Sequence, residues 1–271
     1  MSPNSIAWRF RIAVSAISTA VVLLAGCDSI GRDETSRWTP EKLYSEAKDE
    51  AASGNYDKAV KLLERLEGRA AGSVLAQQAQ IERAYYLWKS GEKAQALSTL
   101  ERFIKLHPTS PALDYAFYLQ GLINFNDNLG LLGSLASQDL SERDQQAARD
   151  AYQSFRQLVE QFPQSAYADD ARTRMSYIVN TLAAYEVHVA RYYLRRGAYV
   201  AAANRAQRAI QEFQRSPSTE EALIILTQSY DRLGLTQLRD DAERVLKTNF
   251  PNATITVDAF GKTKAPWWKL W

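Results

Sequence analysis

The feature that most constrains this chain is a spacing. Gly54 and Gly91 lie 37 residues apart, and Gly197 and Gly234 repeat that interval. Helix-period apolar sets recur with them: Ala59/Leu63/Leu66, Ala96/Leu100/Phe103, Ala151/Phe155/Leu158 and Ala202/Ala206/Ala209. Residues at i, i+4 and i+7 share one face of a helix. A small residue leading each set lets a neighbouring helix lie close. A glycine just past a helix end supplies the left-handed residue that closes it. Pro108 and Pro163 fall twelve residues after their alanines, and Pro251 holds the same place after Arg239, where the last unit has lost its Ala. From Thr39-Pro40-Glu41, an N-cap followed by Pro at the first helical position, nearly the whole chain has helical period. A short β-rich run at 253–257 is the exception. The pattern predicts an all-α chain of five helix pairs.

These units resemble the tetratricopeptide repeat, a helical pair of about 34 residues with small residues at fixed points and a terminal Pro. Such pairs stack into an α-solenoid whose surfaces hold peptides, helices and other domains. Two intervals are long. Ala96 to Ala151 is 55 residues, which fits an insertion around 126–144, rich in Gly, Leu, Ser and Asp. Ala151 to Ala202 is 51, which fits an extra or lengthened helix at 166–183. Ser110-Pro111 is expected to open one helix, and Ser218 with Glu221 to form a capping box at another. The resulting divisions are a leader (1–26), a tether (27–38), N-terminal repeats (39–128), an insertion (129–144), C-terminal repeats (145–251) and a tail (252–271).

The leader has Arg9 and Arg11 ahead of the apolar run Ile12 to Leu24, about the length of a signal-peptide core. It ends Leu24-Ala25-Gly26-Cys27, which resembles the bacterial lipobox, where cleavage precedes a Cys that is then lipidated. Cys27 is the single cysteine, so no intramolecular disulfide forms. Acyl chains there would anchor the protein, each buried methylene contributing roughly 0.8 kcal/mol. Asp28 follows. In enteric bacteria an Asp there resembles an inner-membrane retention signal, whereas other groups read the position differently, so both membranes stay open. The formal charge is +2 over the full chain, and losing Arg9 and Arg11 brings it to zero. A neutral mature chain gives no electrostatic case for nucleic acid.

No pattern of catalysis emerges. His107 precedes Pro108 and His188 lies on a helix near Glu186, neither with a second His or Cys at metal-ligand spacing. Capping or helix-surface roles are expected for both. There is no Gly-rich phosphate loop, nucleophile elbow or metalloprotease helix, so neither an enzyme nor a metal or other cofactor is expected beyond the lipid on Cys27. Arg205 lies about 60° outside the Ala202/Ala206/Ala209 wedge. No acid stands one helical turn away, while Arg208 has Glu212 at i+4. An unpaired Arg beside a packed seam is either a solvated surface residue or an interface anchor. The chain ends Pro266-Trp267-Trp268-Lys269-Leu270-Trp271, which suits a membrane interface or a docking peptide.

The run Tyr192-Tyr193-Leu194-Arg195-Arg196-Gly197-Ala198-Tyr199-Val200-Ala201 to Asn204-Arg205, the stretch from Pro111 to Leu122 with Asp114-Tyr115 and Gly121-Leu122, the lipobox and the insertion in the third of five repeats resemble the BamD family. These are lipoproteins of the β-barrel assembly machinery of Gram-negative outer membranes. The resemblance implies a non-catalytic scaffold anchored at the periplasmic face of the outer membrane. It implies binding of the barrel insertase BamA through its POTRA domains, with Arg205 at the position that pairs with an acid of the last POTRA domain and Arg196, Tyr199 and Asn204 beside it. It further implies contact with other Bam lipoproteins and with unfolded outer-membrane proteins by the N-terminal repeats. Tyr44, Tyr56, Tyr85, Tyr86 and Trp88 are the candidates for that contact, with packing between repeats as their alternative role. An adaptor for peptidoglycan hydrolases or pilus assembly is the other reading of a tetratricopeptide lipoprotein.

Overall fold

The structure is a computed structural model and describes residues 34–125 and 145–253. The leader, Cys27, the start of the tether, the insertion and the tail from residue 254 lie outside the described residues, as does most of the β-rich run. After a 3-10 turn at Glu34–Arg37, ten α-helices follow among the described residues, in five sequential pairs. They are α1 (Pro40–Ala52), α2 (Tyr56–Arg69), α3 (Val74–Lys89), α4 (Lys93–Leu106), α5 (Leu113–Asn124), α6 (Gln145–Gln161), α7 (Ala168–Arg195), α8 (Tyr199–Glu212), α9 (Thr219–Arg232) and α10 (Thr236–Asn249). The all-α class with paired helices is observed. The chain forms two compact units, one up to Tyr86 and one from Leu87, with the boundary inside α3.

In the first unit Thr39 caps α1, its hydroxyl accepting from the Lys42 N–H at 3.2 Å, with Pro40 at the first helical position. The core joins Leu43 and Ala47 of α1, Ala59, Leu62, Leu63 and Leu66 of α2, and Ala76, Ala79 and Tyr86 of α3. In the second unit, one cluster packs Phe117, Ala151, Phe155, Leu158 and Ile178. Gly121 of α5 is required there, because a Cβ at that position would overlap the Phe155 ring. A second cluster packs Ala202, Ala203, Ala206 and Ala209 of α8 against Val187 and Ala190 of α7 and Ala222 and Ile225 of α9. Every member of the four recurring apolar sets is buried. In α10 the burial falls instead to Ala242 and Leu246, while Arg239 pairs with Asp231 at 3.2 Å and Asp240 at 2.7 Å.

The connections repeat as faithfully as the helices. At each of the four turn glycines the N–H of the next residue reaches the carbonyl five residues back: Asn55 to Glu50, Glu92 to Leu87, Ala198 to Tyr193 and Leu235 to Tyr230. This is the Schellman closure, which satisfies carbonyls the helix end leaves unpaired. The return connections share a serine. Ser110, Ser165 and Ser216 each donate their N–H to the C-cap residue (His107, Phe162, Phe213) and accept on Oγ from the N–H two residues on. Ser73 donates likewise to Ala70 and accepts from Ala76. All four serines stand fourteen residues after the leading Ala of their repeat. His107 thus serves as a C-cap, with its ring 5.0 Å from Phe103.

Two local expectations are corrected. The helix expected at Ser110-Pro111 starts at Leu113, because Ser110 makes its turn before the helix rather than at its N-cap. Ser218 and Glu221 form no capping box: Ser218 has helical φ and ψ of −72° and −9°, which aims its hydroxyl away from the N3 amide, and Glu221 instead accepts from Arg191 at 2.6 Å. Of the extra or lengthened helix expected at 166–183, the structure has the lengthened one: the excess extends a single helix, α7, to 28 residues, from Ala168 past Ala183 to Arg195.

Candidate partner-binding surface

The surface is built on the α7–α8 hairpin. α7 ends with Arg196 as C-cap, and Gly197 at φ +77° closes it. Side chains rarely adopt that backbone conformation. α8 then lays its alanine face on α7, which fixes which residues face out. Tyr192 and Val200 stay 45% and 60% exposed, far more than buried packing would leave. Asn204 and Arg196 are exposed and Tyr199 is half-buried. The Arg196 guanidinium lies 5.4 Å from the centre of the Tyr192 ring, within cation–π range. Arg196, Tyr199, Asn204 and Arg205 are therefore brought onto one hairpin.

Arg205 is not unpaired, which corrects the sequence reading. Its Nη1 donates to Glu186 Oε2 at 3.0 Å, from α8 back to α7, nineteen residues earlier. Glu186 is only 2% exposed, so its charge has to be met inside the protein. Arg208 approaches the same carboxylate at 3.6 Å, and Glu212 at 4.0 Å. Arg149 of α6 reaches Glu212 at 3.4 Å. The bond to Glu186, outweighing the cost of burial, raises the Arg205 pKa still further above its already high value. The guanidinium is a permanent charge.

Repeat position explains why the pairing is unusual. Arg205 stands three residues after its leading Ala. The same position holds Leu62, Thr99, Ser154 and Ala242 in the other repeats, all buried. Glu186 stands eleven residues before Gly197, where Leu43 and Leu223 are buried before Gly54 and Gly234. One repeat thus carries a carboxylate and a guanidinium where its siblings carry neutral groups, Gln80 before Gly91 being the polar one among them. Glu186, Arg149 and the second contact of Arg208 escape a reading of local spacing. The signal for Glu186 is a charge at a repeat position that is otherwise neutral.

The N-terminal candidates divide. Tyr44, Tyr56 and Tyr85 are partly buried against the first unit's core and Tyr86 is buried within it. Tyr56 and Tyr86 stack at 5.9 Å, and Tyr85 meets Tyr86 edge-on at 5.7 Å. The Tyr44 hydroxyl donates to Glu82 at 2.6 Å and accepts from Gln78. Lys48 lies 3.5 Å from the Glu82 carboxylate. Burial first, then the bond to Glu82, pushes the Tyr44 phenol well above its usual pKa. Trp88 belongs to the second unit and is half-buried. Among the described residues no group of three or more His, Cys, Asp or Glu could hold a metal ion, and no helix is long and apolar enough to cross a membrane.

The chain matches, over residues 37–245, the model of the YfiO family, described as an outer membrane lipoprotein. It is 50% identical over 237 residues to the outer membrane protein assembly factor BamD of Neisseria meningitidis serogroup A, covering 88% of this chain and 89% of that one. The BamD of Xylella fastidiosa strain Temecula1 is 35% identical, covering 88% of this chain and 82% of its own. That of Vibrio cholerae is 33% identical, covering 85% and 95%.

Proposed function

Since the chain belongs to the BamD family of outer membrane protein assembly factors, we propose that it is a non-catalytic scaffold of the β-barrel assembly machinery, recruiting outer-membrane β-barrel proteins and aiding their insertion. The 50% identity to a BamD, spread over nearly nine-tenths of both chains, carries this reading. Helix pairs with an open, charged hairpin suit protein–protein contact, and the described residues offer no convergent catalytic group. Cys27, acylated after removal of the leader, anchors the chain at the periplasmic face of the outer membrane. The partners are BamA, other Bam lipoproteins and unfolded barrel proteins.

Within this reading the α7–α8 hairpin binds the POTRA domains of BamA. Arg205 is the anchor, with Arg196, Tyr199 and Asn204 around it. Exposed Tyr192 and Val200 extend that surface, giving the mixture of aromatic, aliphatic and arginine contacts enriched at interface centres. In the first unit, Tyr44, Tyr56, Tyr85 and Tyr86, with Trp88 just beyond, serve client recognition through whatever ring edges packing leaves exposed. Depletion of the protein in its host tests the assignment. Folded β-barrel proteins in the outer membrane should fall, with unfolded clients left behind. Unchanged barrel levels would contradict it.

A further inference from the structure

We propose that α2 carries a membrane-facing surface, a row of four basic side chains that binds anionic phospholipid headgroups and lays the first unit against the bilayer. The inference rests on the reading of Cys27 as the acylated anchor. It adds a second, electrostatic contact beside that anchor.

The row is set by helical spacing. Lys58, Lys61, Arg65 and Arg69 stand at i, i+3, i+7 and i+11, within a wedge of about 80° at 100° per residue. All four are exposed. The opposite demand of the core, met by Ala59, Leu62, Leu63 and Leu66, keeps them facing outward. Along the helix they span roughly 17 Å. Packing does not ask for this charge, because the other repeats do without it. Counted from the leading position of each repeat, the four equivalent places in the other four repeats hold only two cations, Arg102 and Arg208. Asp57 and Glu64 border the row on one side and leave the row itself of single sign.

The second observation is where the tether lies. Arg65 Nη1 donates to the Thr35 hydroxyl at 2.7 Å, and Arg69 Nη1 donates to the Trp38 carbonyl. Both acceptors are neutral, so these bonds tie the tether to the row without cancelling charge. Thr35 is buried, Lys42 lies 5.4 Å from the centre of the Trp38 ring, and Arg37 is exposed beside them. The tether therefore leaves the fold from the basic face. Eight residues separate Cys27 from Thr35, a reach of at most about 26 Å. An anchor at Cys27 thus holds this face at the bilayer and supplies the local concentration that a weak contact needs.

The chemistry of the row selects lipid. A line of cations with no large apolar side chain among them lacks the aromatic and aliphatic anchors of a protein interface. It suits a layer of phosphates, where each Lys or Arg near the surface contributes roughly fivefold in partitioning. Lys58 is shared with Glu50 of α1 and contributes less than Lys61.

The test uses the full mature chain with Cys27→Ser, which removes the acyl chains and keeps the repeats, and vesicles of phosphatidylcholine alone or mixed with phosphatidylglycerol. Binding to the mixed vesicles only is expected, fading as salt rises. Lys61→Gln should weaken it about fivefold, and Lys58→Gln with Lys61→Gln about tenfold. Lys93→Gln with Lys105→Gln, an equal loss of charge on α4, should leave it unchanged. If the Lys58 and Lys61 pair loses helical circular dichroism, Lys61→Gln alone decides. In the acylated chain on the same mixed vesicles, a nitroxide on Gly68→Cys sits on the row, where a Cβ meets nothing within 4 Å. It should meet a relaxing agent held at the headgroups and lose that contact in Lys61→Gln. No preference for phosphatidylglycerol, or equal loss in both lysine pairs, would overturn this inference and leave the anchor standing. A mature protein whose mass carries no acyl chains would overturn the anchor and this inference with it. Capture of an acidic envelope protein through Lys58 and Lys61, without vesicle binding, would put a protein in place of lipid and overturn the proposal.

Discussion

Two glutamates show how differently this protein uses a charge at a helix interface. Glu82, in the first unit, meets a phenol, an amide and a single ammonium from Tyr44, Gln78 and Lys48. Its one negative charge faces one positive charge, and the rings around it pack on the core. Glu186, in the second unit, meets two guanidiniums that are themselves half in solvent. The first arrangement is balanced and ringed by packed aromatics, which suits stability. The second leaves one guanidinium charge unmatched, which suits a partner. Similar residue types thus separate by charge balance and surroundings rather than by identity.

The largest effect expected from breaking this contrast is at Arg205. Arg205→Glu would set a second carboxylate beside buried Glu186 and invert the charge of the surface. Binding to the POTRA partner should weaken by at least about a hundredfold, as for a central interface arginine. Circular dichroism at room temperature should stay helical, with a lower melting temperature from the repulsion. Next is Glu82→Gln. It should cost about 1–2 kcal/mol in denaturant unfolding, from weakened hydrogen bonds and a lost ion pair, while the POTRA dissociation rate is unmoved. A loss of that contact in Glu82→Gln would erase the distinction between the two regions.

Tyr44→Phe should be of similar size, about 1.5–2 kcal/mol, because it removes the bond donated to charged Glu82 and the one accepted from Gln78. It also sharpens the picture through pH. Burial, followed by the bond to Glu82, raises the Tyr44 pKa, so the fold favours the neutral phenol. Its contribution is present below the unfolded phenol's pKa, near 10, and is lost as pH rises toward the folded value. Phenolate absorbance between pH 10 and 11 should therefore be unaltered by Tyr44→Phe in the folded protein. The smallest expected effect is Val200→Ser, within about 0.5 kcal/mol on stability, as for exposed positions. Partner affinity should fall only a few-fold, measurable by the same titration.

Much of the fold was written in repeating spacings. The turn glycines and the Ala-led sets are legible because a helix end and a packed face each impose a local chemical demand, and the demand recurs in every unit. The serines at Ser73, Ser110, Ser165 and Ser216 obey an equally strict interval, yet a turn serine has no hydrophobic period to announce it. Ser218 and Glu221 looked like a capping box because the spacing was right. Local backbone conformation and the pull of Arg191 decided otherwise. The site was legible at Arg205 as a residue and illegible as an arrangement. Its partner lies nineteen residues back on another helix, and no i±3 or i±4 rule reaches that far. Glu186 became interpretable only once its repeat position could be compared with Leu43 and Leu223.

The most direct test of the central claim is capture from detergent-solubilised envelopes by tagged, acylated protein, with bound proteins identified by mass spectrometry in wild type and Arg205→Glu side by side. The account predicts a POTRA-containing barrel insertase as the main partner of the wild type and its loss from the variant. Capture of murein hydrolases or pilus components without the insertase, or equal recovery of the insertase by both proteins, would contradict it.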